Sequence, residues 1–229
     1  MNNQTFSFAE LSLLAEAFEV EVIFGMPDKK SEMLFDSAFA SEAEKRLKEK
    51  KILSEESRLT EGGFYVVKAL EEYCVSTEYL RINNIMIAFS NDKKHLIVLS
   101  EIESTKEYKL IVYDQLSFIK EMYETVPMIN REPLPEDMEY STKRLRNATR
   151  REWEKELFSE DIFNLEIFKE EDIQNEEKHV QWLFFEKEEK LIGIDVTKEK
   201  YYQFSQYYFL KTVFEALHIS IEEVVKNQK

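Results

Sequence analysis

The chain predicts an α+β fold: a quasi-two-fold duplicated antiparallel sheet with flanking helices and a helical N-terminal region. Three observations carry this. First, one passage occurs twice. Lys94-His95-Leu96-Ile97-Val98-Leu99 is echoed by Lys178-His179-Val180-Gln181-Trp182-Leu183, and Lys109-Leu110-Ile111-Val112-Tyr113-Asp114 by Lys190-Leu191-Ile192-Gly193-Ile194-Asp195. Two copies are too few for a solenoid, which stacks several repeats and caps them. Second, the spacing of apolar residues changes from helical to alternating near Glu78. Third, short polar stretches join the alternating segments, which favours antiparallel pairing.

Helices come first along the chain. Ser7 and Glu10 have capping-box spacing, and Phe6 is placed to staple onto Leu11, so a short helix starts there with Leu11, Leu14, Ala15 and Phe18 on one stripe. Gly25-Met26-Pro27-Asp28 breaks the chain. Ser41 with Glu44 predicts a second helix start, running to about Lys50. Thr60 caps a third helix through Phe64, Val67, Leu70 and Tyr73. These two helices have the outline of a winged-helix fragment, but Glu71 and Glu72 make the second one acidic, whereas a DNA reader needs a basic footprint.

Strands are predicted at Leu80–Asn84 leading into Ile85–Phe89, at Leu96–Ile102 and at Tyr108–Tyr113, with a polar hairpin loop at Glu103-Ser104-Thr105-Lys106. Asp114 caps a helix that Pro127 stops. Pro133-Leu134-Pro135-Glu136-Asp137 reads as a linker, and a helix carrying Arg144, Arg146, Arg150, Arg151 and Trp153 is expected after it. The second copy places strands at Phe163–Phe168, Val180–Phe185 and Leu191–Val196. Thr197 is then expected to cap a long helix running from Tyr201 to Leu217. The expected divisions are 1–76, 77–132 and 133–229, as parts of one compact domain.

Composition narrows the function. The 229 residues include 17 Phe and 11 Tyr, with hydrophobic residues at 43%, enough for a sizeable core. Gly and Pro number only 4 each, so phosphate-cradling loops are scarce. A net charge of −15 argues against nucleic acid and anionic membrane surfaces, and favours basic partners. The single cysteine, Cys74, rules out an intramolecular disulfide. No signal-peptide pattern or membrane-length apolar run is present, so the expected location is the cytoplasm, without stable membrane insertion.

Catalytic patterns are missing: there is no Walker loop, GxGxxG, HExxH, CxxC or GxSxG. His95 and His179 stand at equivalent strand starts, where a histidine beside lysine is ordinarily solvated. Cys74 shares a helical face with Leu70 and reads as buried and inert. We therefore expect no enzyme, no cofactor and no metal. The run from Lys143 to Arg151 is either a docking patch for acidic segments or a face paired with Glu152, Glu154 and Glu156. Tyr201, Tyr202, Tyr207 and Tyr208 spread over more than one face of the expected helix. They either line a partner groove or form the rim of a wide core.

The passage Glu44 to Tyr73, with Leu47, Leu53 and the turn Leu59-Thr60-Glu61-Gly62-Gly63, precedes a strand-rich middle and a second α/β half. In that order the chain resembles the EspG-type chaperones of type VII secretion, and most of all their Firmicute relatives, the EsaE-like accessory proteins. The resemblance implies a cytosolic, non-enzymatic chaperone that binds a secreted effector or toxin, keeps it export-competent and presents it to the secretion machinery, with the secretion ATPase as a further partner. It places the contacts on the sheet's hairpin loop, here Glu101, Glu103 and Lys106, and on the C-terminal segment with Tyr201, Tyr202, Tyr207 and Tyr208. Trp182 joins them because the second copy departs from the first there. The alternative is an acidic immunity-type inhibitor of a toxin nuclease.

Overall fold

A computed structural model describes residues 4–27, 37–145, 161–169 and 180–219. The chain divides into two compact units, Met1–Thr77 with Asn84–Tyr113, and Glu78–Asn83 with Asp114–Lys229. Both mix helices with antiparallel strands, so the α+β class is as expected.

In the first unit, β1 (Thr5–Phe6) leads into α1 (Phe8–Ala15). The predicted capping box is present: Ser7 Oγ accepts from Glu10 N, and Glu10 accepts from Ser7 N at 2.6 Å. Glu10 does more than cap. It is fully buried, with Lys50 Nζ 2.5 Å and Arg46 3.6 Å from its carboxylate. Arg46 also bonds Glu107, which accepts from Thr5 as well. The Thr5 and Arg46 hydrogen bonds hold the Glu107 carboxyl below the usual range. One buried carboxylate thus ties the first helix to the end of α2 (Ser37–Glu49). Removing one partner of such a pair costs about 3–5 kcal/mol.

The helix α2 begins ahead of Ser41, which therefore is not its cap. Glu44 instead bonds Ser57 and pairs with Lys48. The helix ends in a Schellman turn. Ile52 N donates to Leu47 O, Lys51 N donates to Lys48 O, and Lys51 takes the left-handed φ of 57°. Leu47 and Ile52 are both buried at that stop. Thr60 then caps α3 (Glu61–Cys74) through Gly63 N, as the sequence predicts. The Leu-Thr-x-x-Gly turn has a steric cause: any side chain at Gly63 would drive into the carbonyl of Ile52.

The strands of this unit are β3 (Ile85–Phe89), β4 (His95–Ile102) and β5 (Glu107–Asp114), in the order β1-β5-β4-β3. The loop joining β4 to β5 is the predicted hairpin loop.

The second unit holds β2 (Glu78–Ile82), β6 (Thr142–Arg144), β7 (Phe163–Lys169), β8 (Val180–Lys187), β9 (Lys190–Asp195) and β10 (Lys200–Phe204), ordered β2-β7-β8-β9-β10-β6. Its helices include α4 (Gln115–Thr125) and α5 (Gln206–Ala216). Four expectations change here. The expected helix from Tyr201 is split, because Lys200–Phe204 pairs with β9 and the helix starts only after Ser205. Thr197 does not cap it: the cap is Ser205, whose side chain accepts from Tyr208 N. Arg144 lies on a strand, paired with Tyr202. The expected linker is docked, for Pro135–Glu139 forms a 3-10 turn whose Asp137 is buried. Of the basic run, 146–151 lies outside the described residues, as do Trp153 and His179.

The echoed passages part at matching aspartates. Asp114 accepts from Ser117 N at 3.0 Å and starts α4, while Asp195 accepts from Lys198 N at 3.0 Å and starts the turn into β10. Both form the same local bond across three residues, but one leads into a helix and the other into a strand.

The Gly62-Gly63 pair yields a sharp stability test. Gly62→Ala has open space and should stabilise the chain by about 0.4–1 kcal/mol in urea unfolding. Gly63→Ala should destabilise it by about 1–3 kcal/mol or more, because backbone must move. Equal effects of the two would refute the steric account.

Candidate partner-binding surface

The aromatic cluster of the second unit begins with strand alternation. Trp182 and Phe184 on β8 share a face with Gly193 on β9 and with Tyr202 and Phe204 on β10, as the register pairs Phe184 with Gly193 and Gly193 with Tyr202. The opposite face carries Phe185, Ile192, Ile194 and Tyr201, all buried. Tyr201 is therefore packed in the core of this unit.

On the first face the rings form a chain. Phe209 of α5 meets Phe184 at 4.9 Å and Phe163 at 5.4 Å. Phe184 meets Phe204 edge-on at 5.1 Å, and Trp182 stacks on Phe184 at 5.8 Å and meets Phe204 at 5.3 Å. Tyr202 lies 6.0 Å from Trp182, and Tyr208 lies 5.6 Å from Phe204. Such pairs contribute about 0.5–1.5 kcal/mol each beyond their buried area.

The buried end of this chain is Phe163, Phe184, Phe204 and Phe209, and the half-buried end is Trp182, Tyr202 and Tyr208. Val180, 40% exposed, continues the open end along β8. Exposed Arg144 flanks Tyr202 on the neighbouring strand, and Lys211 lies 6.0 Å from the Tyr208 ring. The open end is thus a rigid amphipathic surface with cations at its border.

Gly193 makes the cluster possible. A methyl group there would stand 2.5 Å from the Phe204 ring and 2.9 Å from Phe184. The similar passage Lys109–Asp114 has Val112 at the corresponding position, so the two passages differ at the point where rings must pass. A glycine inside a strand commonly marks such a close approach.

The predicted site residues therefore separate. Trp182, Tyr202 and Tyr208 come together. Tyr207, 63% exposed, stands on the solvent side of α5 and makes no ring contact with the cluster among the described residues. Glu101, Glu103 and Lys106 belong to the other unit, where Lys106 Nζ pairs with Glu101 at 3.1 Å across the hairpin loop. Sequence reading missed Phe204, Gly193 and Asp137. The glycine was visible as the departure from the echo; Phe204 was hidden by its assignment to a helix.

Asp137 sets where the helix beside the surface begins. Its Oδ2 accepts from Gln206 N at 3.1 Å, from Leu134 N at 3.3 Å and from Arg131 at 3.4 Å. Its Oδ1 accepts from the Tyr140 hydroxyl at 3.1 Å, which in turn accepts from Gln203 Nε2 at 2.6 Å. Arg131 also donates to Glu189 O at 2.6 Å, and Gln206 Nε2 donates to Met128 O at 3.0 Å. Burial, followed by the bond to Asp137, pushes the Tyr140 phenol up to about 12.

Other candidate chemistry is separate. Burial pushes the Cys74 thiol up to about 12, unlike a nucleophile, whose thiolate must be accessible at neutral pH. His95 is half exposed, 3.7 Å from Asp92. Among the described residues no group of three His, Cys, Asp or Glu stands ready to hold a metal. Nor is any described helix long and apolar enough to cross a membrane.

Gly193→Ala should destabilise the chain by about 1–3 kcal/mol in urea unfolding, through overpacking of Phe204 and Phe184; an unchanged midpoint would contradict the ring geometry. For Tyr140 the pH dependence has a definite sign. An unfolded tyrosine ionises near pH 10, roughly two units below the folded group. The proton is thus held more tightly in the fold. Its contribution is complete below about pH 10 and is lost as pH rises through about 12. Ultraviolet titration of Tyr140→Phe should lack one phenolate step near pH 12 that the parent chain shows.

Comparison with known proteins places the chain in context. The type VII secretion system protein EsaE of Staphylococcus aureus, from strains USA300 and NCTC 8325 / PS 47, is 27% identical over 136 residues. That alignment covers 59% of this chain and 57% of those relatives, so the match spans little more than half the length of either. A family model described as a domain of unknown function, DUF5081, matches residues 1–225. With nearly the whole chain matched, the protein belongs to the DUF5081 family.

Proposed function

We propose that this protein is a cytosolic, non-enzymatic chaperone or adaptor of type VII secretion, which binds a secreted substrate protein and keeps it export-competent. The observation that carries the reading is the half-buried end of the aromatic chain at Trp182, Tyr202 and Tyr208. Large rigid rings, already held by neighbouring rings, lose little freedom on binding and dominate interface energetics. Similarity to EsaE, a type VII secretion system protein, supports the pathway. The resemblance to EspG-type chaperones supports the role, and the secretion ATPase is proposed as a second partner on the same ground.

Charge favours basic substrate surfaces, since the chain carries −15. The same charge favours the competing reading, an inhibitor of a basic toxin nuclease. A chaperone binds its substrate and leaves isolated catalytic activity alone, whereas an inhibitor abolishes it.

Co-purification with candidate substrates encoded nearby, followed by titration of variants, tests the proposal. Trp182→Ala and Tyr208→Ala should weaken binding about tenfold or more, the equivalent of about 1.4 kcal/mol. Tyr207→Ala should change stability by less than about 0.5 kcal/mol, being an exposed position. Tyr201→Ala should instead unfold the chain at lower urea, by about 3–5 kcal/mol, as a core truncation. Unchanged binding in both Trp182→Ala and Tyr208→Ala would overturn the site; loss of nuclease activity on binding would favour the inhibitor.

A further inference from the structure

The aromatic surface has a local charge opposite in sign to that of the chain. Strand alternation sets which side chains share its face. Arg144 on β6 pairs in register with Tyr202, and Lys200, two residues before Tyr202 on β10, lies on the same face. Tyr202 therefore has one cation across from it and another along its own strand. Lys200 pairs in register with Asp195, which pairs in turn with Trp182. The acids beside these cations are engaged: Asp195 holds Lys198 Nζ at 2.8 Å, and Glu215 pairs with Lys211 at 3.7 Å. Glu199 stands exposed on the turn between Lys198 and Lys200. Arg144 and Lys200 make no ion pair with any described residue.

Range decides which charge matters. The net charge of −15 acts on approach from a distance, but at physiological salt charges are screened beyond about 8 Å. A segment lying on Trp182 and Tyr202 meets Arg144 and Lys200. Diagonal neighbours across a strand pair stand about 7–8 Å apart, so one carboxylate can reach both long side chains. A guanidinium holds a carboxylate through two parallel hydrogen bonds, and the half-buried rings beside it strengthen the attraction relative to open water. Lys143 offers a contrast. It precedes Arg144 in the same basic run, but it pairs with Gln203 on the opposite face and sets its Nζ over the Tyr140 ring at 3.8 Å.

We propose that the aromatic surface takes an acidic segment of its partner protein, with an apolar side chain on Trp182 and Tyr202 and a carboxylate between Arg144 and Lys200. This rests on the reading of that surface as the partner-binding site and adds the chemistry of what docks there. Basic parts of a substrate, which the net charge attracts, then lie off this surface.

The test uses the full chain and a fluorescein-labelled peptide of Gly and Gln carrying two Leu and two Glu, with companions in which Gln or Lys replaces Glu. Fluorescence anisotropy should show saturable binding of the Glu peptide, about fivefold or more tighter than the Gln peptide, with the Lys peptide weakest. Arg144→Gln combined with Lys200→Gln should weaken the Glu peptide about tenfold and remove its advantage over the Gln peptide. Arg144 is exposed, so Arg144→Gln alone should retain the parent's unfolding curve and still weaken the Glu peptide. Lys143→Gln, an equal change in net charge, should bind as the parent does. Absence of binding by the Glu peptide overturns the proposal, as does a preference for Lys or an equal effect of Lys143→Gln and Arg144→Gln. Trp182→Ala separates the two levels. If it weakens all the peptides while the Arg144 and Lys200 variants keep the Glu preference, the acidic occupant fails and the aromatic site stands; if it changes none, the site itself fails.

Discussion

Asp137 is the constraint on which the second unit depends. It is a buried carboxylate in a segment rich in proline and acid, and it can remain there only with its oxygens satisfied. The available donors are Gln206 N, Leu134 N, Arg131 and the Tyr140 hydroxyl. Bonding Gln206 N fixes the first turn of α5 in place and supports the Ser205 cap beside it. Residues before Ser205 then pair with β9, and residues after it coil. A run of aromatic residues is thereby divided between a strand and a helix, and Tyr201 is turned to the opposite face from Tyr202. The cost of burying the charge is offset by these four donors, and the position they set holds Phe209 of α5 against Phe184 while Trp182 stays half-buried.

Gly193 supplies the complementary space. Removing one side chain from a strand lets Phe204, Phe184 and Trp182 approach edge to face and stacked. The half-buried end of the ring chain is thus supported from beneath, which suits a binding surface better than isolated mobile tyrosines would. A valine at the echoed position, Val112, does not allow the same approach. The two similar passages thus differ in steric permission as well as in their aromatic residues.

The first unit solves a different problem, the attachment of an N-terminal segment with few residues. Glu10 caps its own helix and reaches Lys50 and Arg46, so one side chain joins local helix formation to tertiary packing. Gly63 allows the Ile52 carbonyl to lie against the start of α3. These close approaches bring the end of α2, the start of α3 and β5 together, with Gln4 and Phe6 of the N-terminal segment beside them. Lys51 follows α2 in a left-handed position where glycine is usual.

Much of the local structure was legible from the residues. Ser7 with Glu10, Thr60 and Asp114 marked helix starts because capping is a bond between neighbours in sequence, and the β4–β5 loop was marked by its polarity. The α+β class came from periodicity. Asp195 shows the limit: it makes the same short-range bond as Asp114, yet a turn comes after it because Lys200–Phe204 finds a partner in β9. Likewise Pro133–Asp137 has the composition of a linker, and only the distant Gln206 and Arg131 turn it into an anchor. The sequence by itself determined the caps, the alternation and the supply of aromatic rings, all set within a few residues of chain. The tertiary structure decided which tyrosines are core, which remain open and where α5 begins, because those outcomes depend on partners far apart in sequence.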